Sequence, residues 1–98
     1  MKHYIYKLIP PRPSFNLDMT DEEKKVMGLH IGYFRNLFEE KKVIAYGPVL
    51  DPSGVYGMAI LEVTSEIEAT EIAKNDPSVV EKINQFELIP MLMGLSRS

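Results

Sequence analysis

VIAYGPVLDPSGVYGMAILEV, residues 43–63, sets two apolar runs on either side of a turn sequence. The runs 43–50 and 55–63 read as strands, because valine, isoleucine and tyrosine pack well on a pleated, half-buried surface. Between them, Asp51-Pro52-Ser53-Gly54 suits a type I turn. Proline pre-sets φ at the second position, glycine is favoured at the fourth, and an aspartate at the first can bond its own backbone. The two strands therefore form a hairpin.

On the N-terminal side the span 20–40 reads as the longest element, a helix opened by Thr20 with Glu23 completing a capping box. Asp21, Glu22 and Glu23 crowd the positive end of its dipole, while Lys41 and Lys42 close the negative end. Ahead of it, KHYIYKLI (2–9) is a first strand that stops at Pro10 and Pro11. PPRPSFNLDM (10–19) is a loop of ten residues, long enough to be a lid or rim, or simply to cross one end of the sheet.

On the C-terminal side, Ser65 with Glu68 repeats the capping box and starts a second helix whose Ala69, Ile72 and Ala73 share one face. Asn75 can end it in a left-handed conformation. Asp76 followed by Pro77 is a cap and first-turn pair for a short third helix through about Asn84. FELIPMLM (86–93) is a last strand, which Pro90 confines to an edge or a bulge.

Strand, helix, strand, strand, helix, strand is the order of an α+β, ferredoxin-like split βαβ fold, here with a short extra helix after the second. Ninety-eight residues suffice for a single domain, 1–98. One antiparallel sheet covered by helices on one side leaves its other side apolar, since Tyr4, Tyr6, Ile44, Tyr46, Met58 and Met91 cannot all point at the helices. A two-fold homodimer burying sheet against sheet is the economical solution.

Composition excludes several chemistries. Hydrophobic residues make up 45% and charged residues 26%, and a net charge of −3 provides no basic footprint for nucleic acid. With no cysteine there is no disulfide, no thiolate nucleophile and no cysteine-based zinc site, a composition that fits the cytoplasm. Two histidines without ligand spacing argue against a tight metal site, and the glycines at 47, 54 and 57 are not followed by the Gly-Lys-Ser/Thr of a phosphate loop. The first ten residues have too short an apolar run for a secretory signal, and no stretch approaches a membrane span. A cytoplasmic protein without metal or cofactor is the expectation.

His30 is the exception to an otherwise apolar stripe. At about 100° per residue, Val26, His30, Tyr33 and Leu37 stack on one side of the long helix, with Met27 and Phe34 widening the face. A buried imidazole needs partners for both nitrogens, so His30 is either a satisfied core residue or the working end of a site. Asp51 and Asp76 are the candidate partners, although each also has a local role, the first in its turn and the second at its helix start. A carboxylate beside His30 would fix its tautomer and raise its basicity. Arg12, the lone cation between Lys7 and the long helix, could recognise a carboxylate at a pocket rim, or it could be a solvated loop arginine.

Taken together, His30, Gly47-Pro48, Asp51, Gly54, Gly57, Ala69 and Asp76-Pro77 resemble the YCII-related (YciI-like) family over residues 3 to 93. The resemblance implies a dimeric α+β barrel with a histidine–aspartate site, carried here by His30 with Asp51 and Asp76, and an unassigned biochemistry. Ser78 stands where the family often has an aromatic residue, and the Pro-rich 10–13 stretch lengthens the first loop. The resulting expectation is an isomerase- or lyase-type enzyme acting on a small aromatic or enolic metabolite. His30 would be the acid/base, Asp76 or Asp51 would orient it, and Tyr33, Phe34, Tyr46 and Arg12 would contact substrate. A non-catalytic, small-molecule-binding or stress-associated dimer is the alternative.

Overall fold

In the computed structural model, which describes residues 1–97, strand β1 (Lys2–Ile9) alternates its side chains so that Tyr4, Tyr6 and Leu8 are buried on one face. A one-turn helix α1 (Phe15–Asp18) leads into α2 (Asp21–Glu39), followed by the hairpin strands β2 (Val43–Val49) and β3 (Tyr56–Val63). Helices α3 (Glu66–Lys74) and α4 (Pro77–Val80) then return the chain to β4 (Gln85–Met91). The strands form one antiparallel sheet in the order β2-β3-β1-β4. The protein is thus α+β with a ferredoxin-like arrangement, and Pro90 lies on the edge strand β4, where a missing N–H costs no ladder bond.

Helices α2 and α3 cover one face of this sheet. Tyr4, Tyr6 and Leu8 from β1 meet Ala59, Leu61 and Val63 from β3, and Phe34 and Leu37 from α2 close over them. From α3, Ala69, Ile72 and Ala73 complete the layer on the shared face that their spacing implies. Thr20 and Glu23 form the full reciprocal capping box of α2. The second box is incomplete: Ser65 accepts from Glu68 N, but the Glu68 carboxylate turns to the backbone and hydroxyl of Thr64. Asn75 does not enter the left-handed region (φ −95°); Lys41 and Lys82 do so instead, just beyond α2 and α4.

Two local features reshape the hairpin side of the sheet. A bulge between Val43 and Ala45 inserts one residue, so that Val43 pairs with Leu61 yet Tyr46 pairs with Ala59. Both Val43 and Tyr46 then point toward the helices, although three positions apart they would face opposite ways in a regular strand. Gly54 closes the 51–54 turn with φ +146°, a conformation open to glycine, and its N–H bonds the Asp51 carbonyl at 2.9 Å.

The exposed sheet face is apolar, and the six residues that could not all face the helices are divided between the two sides. Tyr4, Tyr6 and Tyr46 lie on the helix side, whereas the pairs Ile5–Ile60 and Ile5–Ile89 place these isoleucines on the open side with Met58 and Met91. The 10–19 segment is also not a plain loop. It contains α1, whose Phe15 is buried, and it lies against the helix side of the sheet.

Leu61 is fully buried at the centre of the layer, on a strand bonded on both edges. Leu61→Ala is expected to cost about 2–5 kcal/mol, by lost apolar transfer plus an unfilled cavity. Urea midpoints of the wild type and variant check this, with an unchanged m-value.

Candidate functional site

The site begins at a helix start. Asp76 is the N-cap of α4, its Oδ1 accepting from Ser78 N at 2.9 Å and Ser78 Oγ at 3.0 Å. That side chain is wholly buried, and an ionised carboxylate in such a place requires further donors. Tyr6, reaching across from β1, donates its hydroxyl to Oδ2 at 2.6 Å. From α2, His30 Nδ1 lies 2.9 Å from both carboxylate oxygens. Residues distant in the chain therefore converge on one group, and Asp76 is both a helix cap and the partner of His30.

Burial alone would push the Asp76 carboxyl up, but the bonds and charge of His30, with the donors of Tyr6 and Ser78, outweigh it and hold it below the usual carboxylate range. Tyr6 is shifted well above the usual phenol range, first by its burial and then by the Asp76 charge it faces. An ionised carboxylate can only accept, so the Asp76 network assigns the proton to Nδ1 of His30. In the neutral ring, Nε2 is then the acceptor, and the carboxylate fixes the tautomer and orientation of the ring. Among the described residues no protein group bonds Nε2.

His30 lies in the wall of a cavity of about 320 Å³ between α2, the 10–19 segment and the sheet. Its side chain is 15% exposed, so the imidazole is sheltered yet reachable. Phe34 packs against it, ring centroids 5.0 Å apart, and in turn meets Tyr6 at 5.3 Å and Tyr46 at 6.0 Å. The walls are otherwise mostly apolar, and the small residues Gly57 and Ala59 keep the sheet side open. A side chain on Gly57 would begin 3.1 Å from Leu8 Cβ. Among the described residues no three histidines or carboxylates gather as a metal site.

Of the residues expected at the site, the structure brings together His30, Asp76, Phe34 and Tyr46. Asp51 is occupied in its own turn, accepting from Ser53 N and Oγ, bonds that hold its carboxyl below the usual range. It does not line the cavity. Tyr33 lies on the same helix face but donates its hydroxyl to the Ile72 carbonyl at 2.8 Å, packing α2 onto α3. Burial, reinforced by the Asp76 charge, pushes that phenol up to about 12. Arg12 spends its guanidinium on Asp18 and on both oxygens of Glu23, with Phe15 under its plane, so it holds the strap 10–19 onto α2.

Three contributors were not singled out from sequence. Tyr6 is the one whose signal was present, since it alternates with Tyr4 and Leu8 on one strand face. Ser78 appeared as a departure from a family pattern, and its hydroxyl and N–H prove to be Asp76 donors. Asn84 lies in the cavity wall, 4% exposed, with nothing in its local sequence to announce it.

The family model of the YCII-related domain matches residues 1–91 of the chain. No curated protein matches it. Among the described residues no helix is long and apolar enough to cross a membrane.

The depressed carboxyl of Asp76 has a pH consequence. Because the unfolded chain takes up this proton at higher pH than the folded one, its contribution to stability is present above the ordinary carboxylate range and is lost as pH falls below about 4. Asp76→Asn is expected to lower stability at pH 7 by about 1–3 kcal/mol, because it sets an amide donor among buried donors that Asp76 now accepts from. It should also flatten the acid limb, as read from thermal melts between pH 3 and pH 7.

Proposed function

The chain belongs to the YCII-related domain family, and on that premise we propose that it catalyses proton transfer on a small aromatic or enolic molecule held in the cavity. The bond from His30 Nδ1 to the buried Asp76 carboxylate, at the wall of an apolar cavity, carries this reading. His30 Nε2 takes a proton from an activated C–H of the substrate, Asp76 stabilises the imidazolium that forms, and the same nitrogen returns the proton at a neighbouring atom. The step is isomerase- or lyase-type and needs no covalent intermediate. Phe34 and Tyr46 press the ring side of the substrate toward His30, and the low-dielectric surroundings strengthen the His30–Asp76 pairing.

An enolisable probe tests this without knowledge of the natural substrate. Oxindole, a neutral fused ring that offers an N–H donor, fits a cavity of this size, and its C3 protons exchange with D2O at a rate read by NMR. The wild type should accelerate that exchange, and His30→Gln, which keeps a donor and an acceptor but cannot shuttle a proton, should lose about 10²-fold or more of it. The variant should melt within a few degrees of wild type. Acceleration that survives in His30→Gln assigns the chemistry elsewhere; no acceleration by wild type leaves a cavity that only binds.

The domain 1–98 is further proposed to work as a cytoplasmic homodimer joined sheet to sheet, closing an α+β barrel. Ile5, Ile60 and Ile89 line up across three neighbouring strands on the uncovered face, and Ile89 is 46% exposed in the single chain. Sedimentation at micromolar concentration should give about twice the 11.2 kDa chain mass. Ile60→Lys, centred on that face, should give the monomer.

A further inference from the structure

We propose that the cavity selects an uncharged, ring-sized ligand that donates a hydrogen bond, and rejects a carboxylate of the same shape. The inference rests on the reading of this cavity as the ligand site.

Size comes first. A cavity of about 150 Å³ accepts a benzene ring, and this one has about 320 Å³, enough for a fused or substituted ring. Charge comes second. Among the described residues no lysine, arginine, aspartate or glutamate lines it. Arg12, between the wall residues Pro10 and Phe15, has its guanidinium committed to Asp18 and Glu23. Lys7 is on the opposite side of the sheet, with its ammonium over the Tyr56 ring at 4.6 Å. Apart from His30, whose charge Asp76 already faces, an anion placed here would lose its water without gaining a counter-charge.

Hydrogen-bond polarity comes third. Two inner donors already have partners: the Tyr6 hydroxyl on Asp76, and one N–H of the Asn84 amide on Met27 Sδ at 3.3 Å. A thioether accepts and cannot donate, so Met27 fixes which way the carboxamide points. Its carbonyl oxygen, Oδ1, is buried without a partner. Met27 both covers this amide and lines the cavity, and its flexible side chain can yield to a ligand group that reaches the oxygen. With His30 Nε2, the inner wall therefore presents two free acceptors. Of the other polar wall residues, Tyr46 and Asn16 are exposed, and Tyr56 is half-buried with its ring under the Lys7 ammonium on the opposite side of the sheet. An acceptor on the ligand would meet acceptors, whereas a donor satisfies one that the empty protein leaves unmet.

Indole and benzofuran test this directly, since they differ in offering N–H or a ring oxygen at the same place; benzofuran-2-carboxylate adds the charge. Titrations of the isotope-labelled protein at pH 8, following the signals of His30, Phe34 and Tyr46, should show indole binding about tenfold tighter than benzofuran. The carboxylate should bind at least tenfold more weakly than benzofuran. Asn84→Leu removes the buried acceptor at nearly constant volume, so it should melt a few degrees higher and narrow the preference for indole. Equal affinity for indole and benzofuran overturns donor selection, yet leaves His30 free to act on a ligand held by shape. A carboxylate that binds tightest overturns the charge argument. Absence of cavity shifts with all three compounds overturns the proposal entirely. An Asn84→Leu protein less stable than wild type, with the preference unchanged, removes Asn84 from it. The acid–base reading stands or falls separately, on exchange in His30→Gln.

Discussion

A carboxylate with no access to water must find its solvent within the protein, and around Asp76 that demand organises three elements at once. Tyr6 from β1, His30 from α2 and the first turn of α4 each supply donors to two oxygens. Removing one partner from such a group strands a buried charge, at a cost of about 3–5 kcal/mol. The strand, the long helix and the short helix are therefore held in one relative position by polar contacts as well as by packing. The cavity wall inherits its shape from that position, because His30 and Tyr6 both line it. The same bonds orient the imidazole through Nδ1, leaving Nε2 without a protein partner among the described residues.

How much of this was legible in the sequence follows from the range of each interaction. Features decided within a few residues were legible: the turn at 51–54, the Thr20–Glu23 box and the face shared by Val26, His30 and Leu37. The pairing of His30 with Asp76 spans 46 positions, and sequence offered two aspartates that each had a local role, stronger for Asp76 as a cap than for Asp51 in its turn. The structure separates them on a point no pattern carries: Asp51 completes its turn in partial exposure, while Asp76 completes its cap under the helices, where the remaining lone pairs need donors. A cap and a site partner had been competing readings of Asp76. They turn out to be one arrangement.

The bulge in β2 shows a second kind of illegibility. One inserted residue reverses which side chains face the helices, and nothing in VIAYGPV marks where it falls. Without it Tyr46 would lie on the open face, and the cavity would lose the ring that meets Phe34 from the sheet side. Of the residues that could not all face the helices, the register puts Tyr4, Tyr6 and Tyr46 on the helix side and Met58 and Met91 on the open side. Interiors of small proteins are close-packed, and a void of this size forgoes dispersion contacts along its whole lining. Gly57 and Ala59 on β3, opposite Leu8 and Tyr6, are where larger side chains would have filled it.

Glu23 invites comparison with Asp76, because it too combines a helix cap with a distant partner. One of its oxygens accepts from Thr20 N and from Arg12, and the other from Arg12 alone. The Arg12 fork and the capping bond hold that carboxyl down to about 2, so the pairing persists through any physiological pH. The Arg12 side chain, however, is 34% exposed, and water and salt weaken there what burial preserves at Asp76. The two clamps therefore have unequal strength. The one around Asp76 holds the His30 side of the cavity, and the one around Glu23 holds the strap whose Phe15 lines it. On the proposed reading of this cavity as a ligand site, the strap is the wall that yields more easily, because its clamp is the one open to solvent.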